Sequence, residues 1–353
     1  MSTLLHIKGL KKYYPIIGGI FKRKMADVKA VDGVNLTIMK GECFGLVGES
    51  GCGKTTLGKT IIRLLTPDAG SIYYNIPEDI LEEIDKLEKE NPRSSKLRRI
   101  REEYDLATFK GRKLRQLRRK MQIVYQDPTT SLDPRMLVKD IVAEPLVAQG
   151  LARGSEAKKM VVDMLERVGL SEKHLCRYPH EFSGGQRQRI AVSRALIVRP
   201  EFVVLDEPTS SVDVSVRAQL LNLFKDLGKD FGLTYMFVSH DLSVVEVISD
   251  RVAVMYLGKI VEVATTEELF KEPLHPYAQG LFASIPIPDP TRRRERPPLT
   301  GDVPSPVNPP SGCRFHPRCQ SVTDVCRKEE PQLVDVGNGH LVACHVISSE
   351  LGK

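Results

Sequence analysis

Apolar and polar positions alternate over residues 29–38, which predicts a half-buried strand, and residues 43–47 form a compact run that predicts a buried one. A Gly-rich loop follows, and residues 55–65 carry a helical pattern. Runs of β-formers at 202–206 and 234–238 predict buried parallel strands. Residues 252–257 and 259–263 flank Gly258 and predict a hairpin. Residues 137–200 are mostly helical in pattern. Between Pro77 and Lys120 the chain is highly charged, with Ile80, Leu81, Ile84 and Leu87 at helical spacing and Pro92 interrupting. This predicts a charged helical hairpin. Proline is dense from Ile285 to Pro310, around Arg292–Arg294, which predicts an extended linker.

The chain has 353 residues, 41% of them hydrophobic, enough for more than one typical domain with a real core. Apolar runs end long before the ~18 residues of a membrane span, and Met1 to Lys12 lacks an apolar signal core. A membrane role therefore requires a partner. Seven scattered cysteines argue against a secreted disulfide scaffold and for a reducing, cytoplasmic compartment. The net charge of +7 selects no partner. From Lys96 to Lys120, eleven Lys/Arg stand against three acids. Such a stretch is a solvated face or a contact surface for acidic protein or lipid; with only Tyr104 and Phe109 interleaved, nucleic acid fits it least.

Gly48, Ser50, Gly51, Cys52, Gly53, Lys54, Thr55 and Thr56 form a G-x-x-x-x-G-K-[ST] loop between a strand and a helix. Glycines let backbone N–H groups wrap phosphates, and the helix N-terminus adds its dipole. Lys54 suits the β- and γ-phosphates of ATP, and Thr55 suits Mg²⁺. The 202–206 strand ends in Asp206 and Glu207. Asp206 suits Mg²⁺, and Glu207 suits polarising a water for attack on the γ-phosphate. Gln126 offers an amide to metal or water. Ser183, Gly184, Gly185 and Gln186 precede a helix as a further anion site, and His240 follows a strand.

In this order the motifs resemble those of ABC-transporter ATPases, over about residues 4–265. The resemblance implies a P-loop α/β nucleotide-binding domain with a RecA-like core, an antiparallel β subdomain and a helical subdomain at about 135–200. Residues 75–120 contain the charged helical insertion, part of which, 76–103, exceeds what the family usually carries. Gln126 resembles the Q-loop, which senses Mg²⁺. Phe182–Gln186 resembles the signature motif, with Phe for the usual Leu, and 210–213 the D-loop. His240 resembles the switch histidine. Tyr14, with Tyr13 as the alternative, resembles the aromatic that stacks on adenine. The resemblance implies a head-to-tail ATPase pair in which Ser183 and Gly185 act on the partner's ATP.

The long insertion at 15–28, Gln126–Pro134, His275-Pro276-Tyr277 and the tail from Gly312 to Cys319 resemble dipeptide/oligopeptide importer ATPases, closest to their second (F-type) subunit. That branch implies a heterodimer of ATPases at the cytoplasmic face of the membrane. Two permease subunits and an extracellular substrate-binding protein complete the complex. Some members carry oligosaccharides instead. A soluble ABC ATPase acting on nucleic acid or ribosomes is the reading from another class; its usual paired units or long coiled-coil arms are not present in this sequence.

The expected domains are the ATPase at 1–265, a Pro-rich linker at 266–310 and a Cys-rich segment at 311–353. Cys313, Cys319, Cys326 and Cys344 lack the paired spacing of common zinc sites. Four thiolates can hold [4Fe–4S] or Zn²⁺, and free thiols are the plain alternative. His316, His340 and His345 compete for one position. The family resemblance favours [4Fe–4S], as a structural clip.

Overall fold

The computed structural model describes residues 2–18, 23–210, 212–284, 299 and 301–350. Ser211 of the 210–213 motif and the proline-dense stretch 285–298 lie outside them, as does the expected linker there.

Eleven strands occur among the described residues: β1 Thr3–Gly18, β2 Arg23–Met39, β3 Cys43–Val47, β4 Ala69–Tyr74, β5 Met121–Val124, β6 Phe202–Asp206, β7 Thr234–Val238, β8 Arg251–Tyr256, β9 Lys259–Thr265, β10 Val334–Asp335 and β11 Leu341–Val342. The chain divides into two compact units. One contains residues 1–39, 43–108 and 239–353; the other contains 40–42 and 109–238.

The first unit has an antiparallel sheet of order β2–β1–β4. β1 and β2 pair as one long antiparallel ladder from Thr3↔Met39 to Gly18↔Arg23, and residues 15–18 and 23–28 of the insertion form its far end. In a second sheet, β3 runs parallel to β8 and β8 antiparallel to β9. Every residue of β3 is buried, as a strand covered on both faces requires. The tail adds β11 against β9, with Leu341 opposite Val263, and β10 against β11.

The charged insertion begins as two helices, Glu78–Glu90 and Ser95–Tyr104, with Pro92 in the break. Ile84 and Leu97 are buried against Tyr73 and Ile76, with Ile80, Leu81, Leu87, Ile100 and Tyr104 packed around them. Each such aliphatic burial contributes roughly 1.5–3 kcal/mol. Lys8 of β1 pairs with Asp85 at 2.6 Å and with Glu88, and Arg101 reaches Glu88 at 2.8 Å. The hairpin is therefore seated on the antiparallel sheet by both apolar and ionic contacts. The expected single insertion over 75–120 is in fact divided. The helix Gly111–Lys120, with six of its ten residues Lys or Arg, belongs to the other unit.

In that second unit β5, β6 and β7 are parallel, with Met121 opposite Phe202 and Phe202 opposite Thr234. The helices Val138–Gln149, Gly154–Arg167 and Gly184–Leu196 pack on one another and fill the expected helical stretch. Val138, Ile141 and Val142 of the first and Ala157, Val161, Met164 and Leu165 of the second are buried at helical spacing, whereas the third is buried on several faces, with Ile190, Ala191, Val192 and Ser193 all covered.

Part of the expected 266–310 linker is helical: Thr266–Lys271 starts on Thr265, and Pro276–Ala283 starts on His275. Pro276 there occupies the first helical position, where the missing N–H costs nothing. It opens a helix inside the stretch expected as a Pro-rich linker.

Among the described residues no helix is long and apolar enough to cross a membrane.

Candidate nucleotide-binding site

In the first unit, the loop after β3 turns at Gly48 (φ 150°), Gly51 (φ 79°) and Gly53 (φ 110°). A Cβ on Gly53 would lie 2.0 Å from the carbonyl oxygen of Ala30, so this position tolerates neither another conformation nor a side chain. Lys54 is buried, and its Nζ donates to Gly48 O at 2.8 Å and Glu49 O at 3.0 Å. The ammonium thus draws the loop around itself. Ser50 and Gly51 are exposed, Cys52 is buried, and Thr55 and Thr56 lie half-buried at the helix start. The helix Lys54–Ile61 has no side-chain cap, so its first N–H groups are offered to an anion.

In the second unit, β6 ends in the buried Asp206 and then in Glu207. Glu207 adopts a left-handed backbone (φ 47°), and its N–H donates to Val238 O at 2.9 Å. A non-glycine residue held there is strained, which is common where a side chain must be aimed. The Gln126 side-chain Nε2 donates to Glu207 Oε2 at 3.0 Å. The structure thus brings together two residues that are 81 positions apart in the sequence.

Ser183 caps the helix Gly184–Leu196 in a reciprocal box with Gln186: its Oγ accepts from Gln186 N at 3.4 Å, and Ser183 N donates to Gln186 Oε1 at 3.2 Å. Gly185 is buried against Val216, whereas Ser183 is exposed. Phe182 is buried with the Arg177 guanidinium 4.6 Å from its ring centre, a contact that a leucine would not make. Asp213 caps the helix Val214–Phe231 by accepting from Val216 N at 2.9 Å. In the first unit His240 is exposed, directly after Ser239, whose N–H donates to Leu46 O at 3.2 Å.

The two tyrosines of β1 have different surroundings. Tyr13 donates its hydroxyl to Asp32, while Tyr14 is exposed with Lys12 over its ring. Tyr14 is the more exposed of the two.

The tail is knitted into the first unit. Glu262 of β9 is fully buried and accepts from the backbone N–H of Leu274 at 2.8 Å and of His275 at 2.9 Å. It also pairs with His340 Nε2 at 2.7 Å. His275 accepts from Tyr277 N at 3.0 Å, and burial holds its imidazole neutral, with a pKa lowered to about 3. Burial, and then the neighbouring thiols of Cys326, Cys344 and Cys319, push Cys313 up to about 11. Gly312 (φ 65°) lets the chain pass Cys326, whose carbonyl oxygen would sit 2.4 Å from an added Cβ. His316 and His345 pair with the backbone carbonyls of Cys313 and Glu329, and His340 with Glu262, so each proposed histidine ligand has another partner. Among the described residues no three His, Cys, Asp or Glu side chains close on a point suited to one metal ion.

Sequence reasoning singled out most of these residues but missed Glu49, Glu262 and Arg318. A buried acid in a strand and an arginine between two cysteines carry no motif of their own.

Residues 31–210 match the family model described as ABC transporter, and residues 261–326 match the model described as oligopeptide/dipeptide transporter, C-terminal region. The chain is 45% identical over 352 residues to the oligopeptide transport ATP-binding protein AppF of Bacillus subtilis, covering 98% of each chain. It is 46% identical to the dipeptide transport ATP-binding protein DppF of Haemophilus influenzae, over 97% of this chain and 96% of that one. A solved dimeric ATP-binding cassette, MJ0796 bound to ADP and Pi, superposes with a TM-score of 0.59 at 25% identity, covering 74% of this chain and 99% of that one. The chain therefore belongs to the ABC transporter family, as an ATP-hydrolysing subunit of its oligopeptide/dipeptide branch.

Proposed function

We propose that this chain binds ATP on the Gly48–Thr56 loop and hydrolyses it to power the import of di- or oligopeptides. The path for the solute is formed by two permease subunits, and an extracellular binding protein delivers it. The chain works at the cytoplasmic face of the membrane as a peripheral subunit, beside a second ATPase. The observation that carries this reading is likeness along the whole chain, tail included, to transport ATP-binding proteins whose names specify oligopeptides and dipeptides.

Each residue then has a role that its chemistry allows. Tyr14 stacks on adenine. Lys54 and the loop N–H groups hold the phosphates. Thr55, Gln126 and Asp206 offer hydroxyl, amide and carboxylate oxygens, a donor set suited to the hard Mg²⁺ ion, which offsets phosphate charge when bound. Glu207 accepts the proton of the attacking water, with Gln126 steadying its carboxylate and His240 answering the γ-phosphate. Ser183, Gly185 and Gln186 present a helix N-terminus to the partner subunit's nucleotide.

The resemblance of the tail to the oligopeptide/dipeptide branch favours a [4Fe–4S] cluster over Zn²⁺ on Cys313, Cys319, Cys326 and Cys344. Against it, among the described residues no three His, Cys, Asp or Glu side chains are grouped so as to hold a metal ion. The cluster would supply a covalent clip to a segment poor in apolar residues, with no part in hydrolysis.

Reconstitution with the permeases and partner ATPase into vesicles tests the reading. ATP-dependent uptake of labelled peptide, requiring the binding protein, is the expected result. Uptake of oligosaccharide with no peptide uptake would overturn the solute class.

A further inference from the structure

The two arginines of the tail sequence Cys313-Arg314-Phe-His-Pro-Arg318-Cys319 both leave the tail. Arg318, its side chain only 4% exposed, grips Glu49 with both arms: Nη1 to Oε2 at 2.8 Å and Nη2 to Oε1 at 3.2 Å. Glu49 is the second residue of the phosphate loop, directly after Gly48. Its backbone is held as well, since Glu49 N donates to Tyr277 Oη at 2.9 Å. Tyr277 is buried, with Phe315 of the tail 5.5 Å from its ring centre. Glu49 is thus fixed by side chain and by main chain, both times from residues C-terminal to the ATPase core. Arg314 makes the matching contact nearby. It donates to Leu257 O and to Asp32, and Asp32 also accepts from the hydroxyl of Tyr13, next to Tyr14.

A forked guanidinium–carboxylate pair fixes direction as well as distance. Glu49 has no contact with phosphate in the role proposed above, so the pair acts through the loop. Its consequence is the shape of the Gly48–Thr55 turn before nucleotide arrives. A loop held in its binding shape avoids an ordering cost that a loose loop incurs on binding.

We propose that Arg318 and Tyr277 are positioning residues for ATP, clasping the phosphate loop at Glu49 and making nucleotide affinity depend on the C-terminal tail. This rests on the loop being the ATP site. The tail is then part of the nucleotide site's support, whether or not its cysteines carry a cluster.

The test uses the full chain in the complex with its permeases and partner ATPase, and measures KM for ATP, kcat and binding of a fluorescent ATP analogue. Arg318→Met should raise KM and weaken analogue binding about tenfold, the scale of a lost hydrogen-bonded charge pair. Its kcat at saturating ATP should stay within about twofold. Tyr277→Phe, which removes only the acceptor oxygen, should shift KM in the same direction by about threefold. If Arg318→Met does not assemble, Glu49→Gln decides, because it keeps size at a loop position that is partly exposed. Wild-type KM in assembled Arg318→Met, or in Glu49→Gln, would overturn the clasp, as would a fall in kcat alone. Failure of the wild-type complex to bind the analogue at all would instead overturn the assignment of the loop.

Discussion

The side-chain amide of Gln126 donates to Oε2 of Glu207 across 3.0 Å, in the same unit and from neighbouring parallel strands. β5 and β6 run in register, with Val124 opposite Leu205, so the residues just past their ends meet. In the proposed role of Glu207, the bond orients the carboxylate that takes a proton from water. Gln126→Ala should lower kcat for ATP roughly tenfold in the assembled complex, since small misplacements of a reacting group are costly. KM should change little. Steady-state ATPase kinetics give both numbers, and an unchanged kcat would detach Gln126 from Glu207's role.

His275 gives a dependence on pH with a definite sign. It caps the helix Pro276–Ala283 through a ring nitrogen that accepts from Tyr277 N, and its carboxylate neighbour Glu262 accepts from its backbone N–H. Protonation would turn that acceptor into a donor facing a donor. Burial lowers its pKa from 6.5 to about 3, so the unfolded chain binds the proton more readily than the folded one. Its contribution is therefore fully present above pH 6.5 and is lost as pH falls toward 3. His275→Asn keeps a capping oxygen and cannot titrate. Between pH 7 and pH 5 its melting temperature should fall several degrees less than that of the wild type, as calorimetry would show. Equal falls would remove His275 from the acid response.

The tail makes a prediction about iron. Purified without oxygen, the chain should be brown and carry about four irons, and Cys319→Ser should lose the colour. Elemental analysis and an absorption spectrum settle both points. A colourless, zinc-loaded protein would contradict the cluster.

Strands β3, β6 and β7 were legible because each is a short apolar run bounded by turn residues, and burial on both faces leaves that mark in sequence. The phosphate loop was legible because its chemistry fixes glycine positions. The seat of the charged hairpin was not. Its Lys8–Asp85 and Lys8–Glu88 pairs join segments remote in sequence, and charge patterning read locally gives a solvated or partner-facing surface with no sign of the sheet beneath it. The helix Pro276–Ala283 was hidden because proline reads as a breaker unless its helical position is known. The attachment of the tail was illegible for a related reason. Glu262 alone gathers Leu274, His275 and His340, and one buried acid among strand residues has no periodic signal.

The central claim is that Glu207 performs the chemistry on ATP bound by this chain. Its left-handed backbone at the end of a buried strand, with Gln126 on its carboxylate, is the feature that supports it. The direct measurement is ATP turnover and ATP-analogue binding by Glu207→Gln in the complex with its permeases and partner ATPase. The variant keeps the size of the side chain and removes its basicity. Turnover at this chain's site should fall by about 10²–10⁴-fold, the scale of a lost general base, while the analogue still binds. Turnover near the wild-type rate would contradict the account.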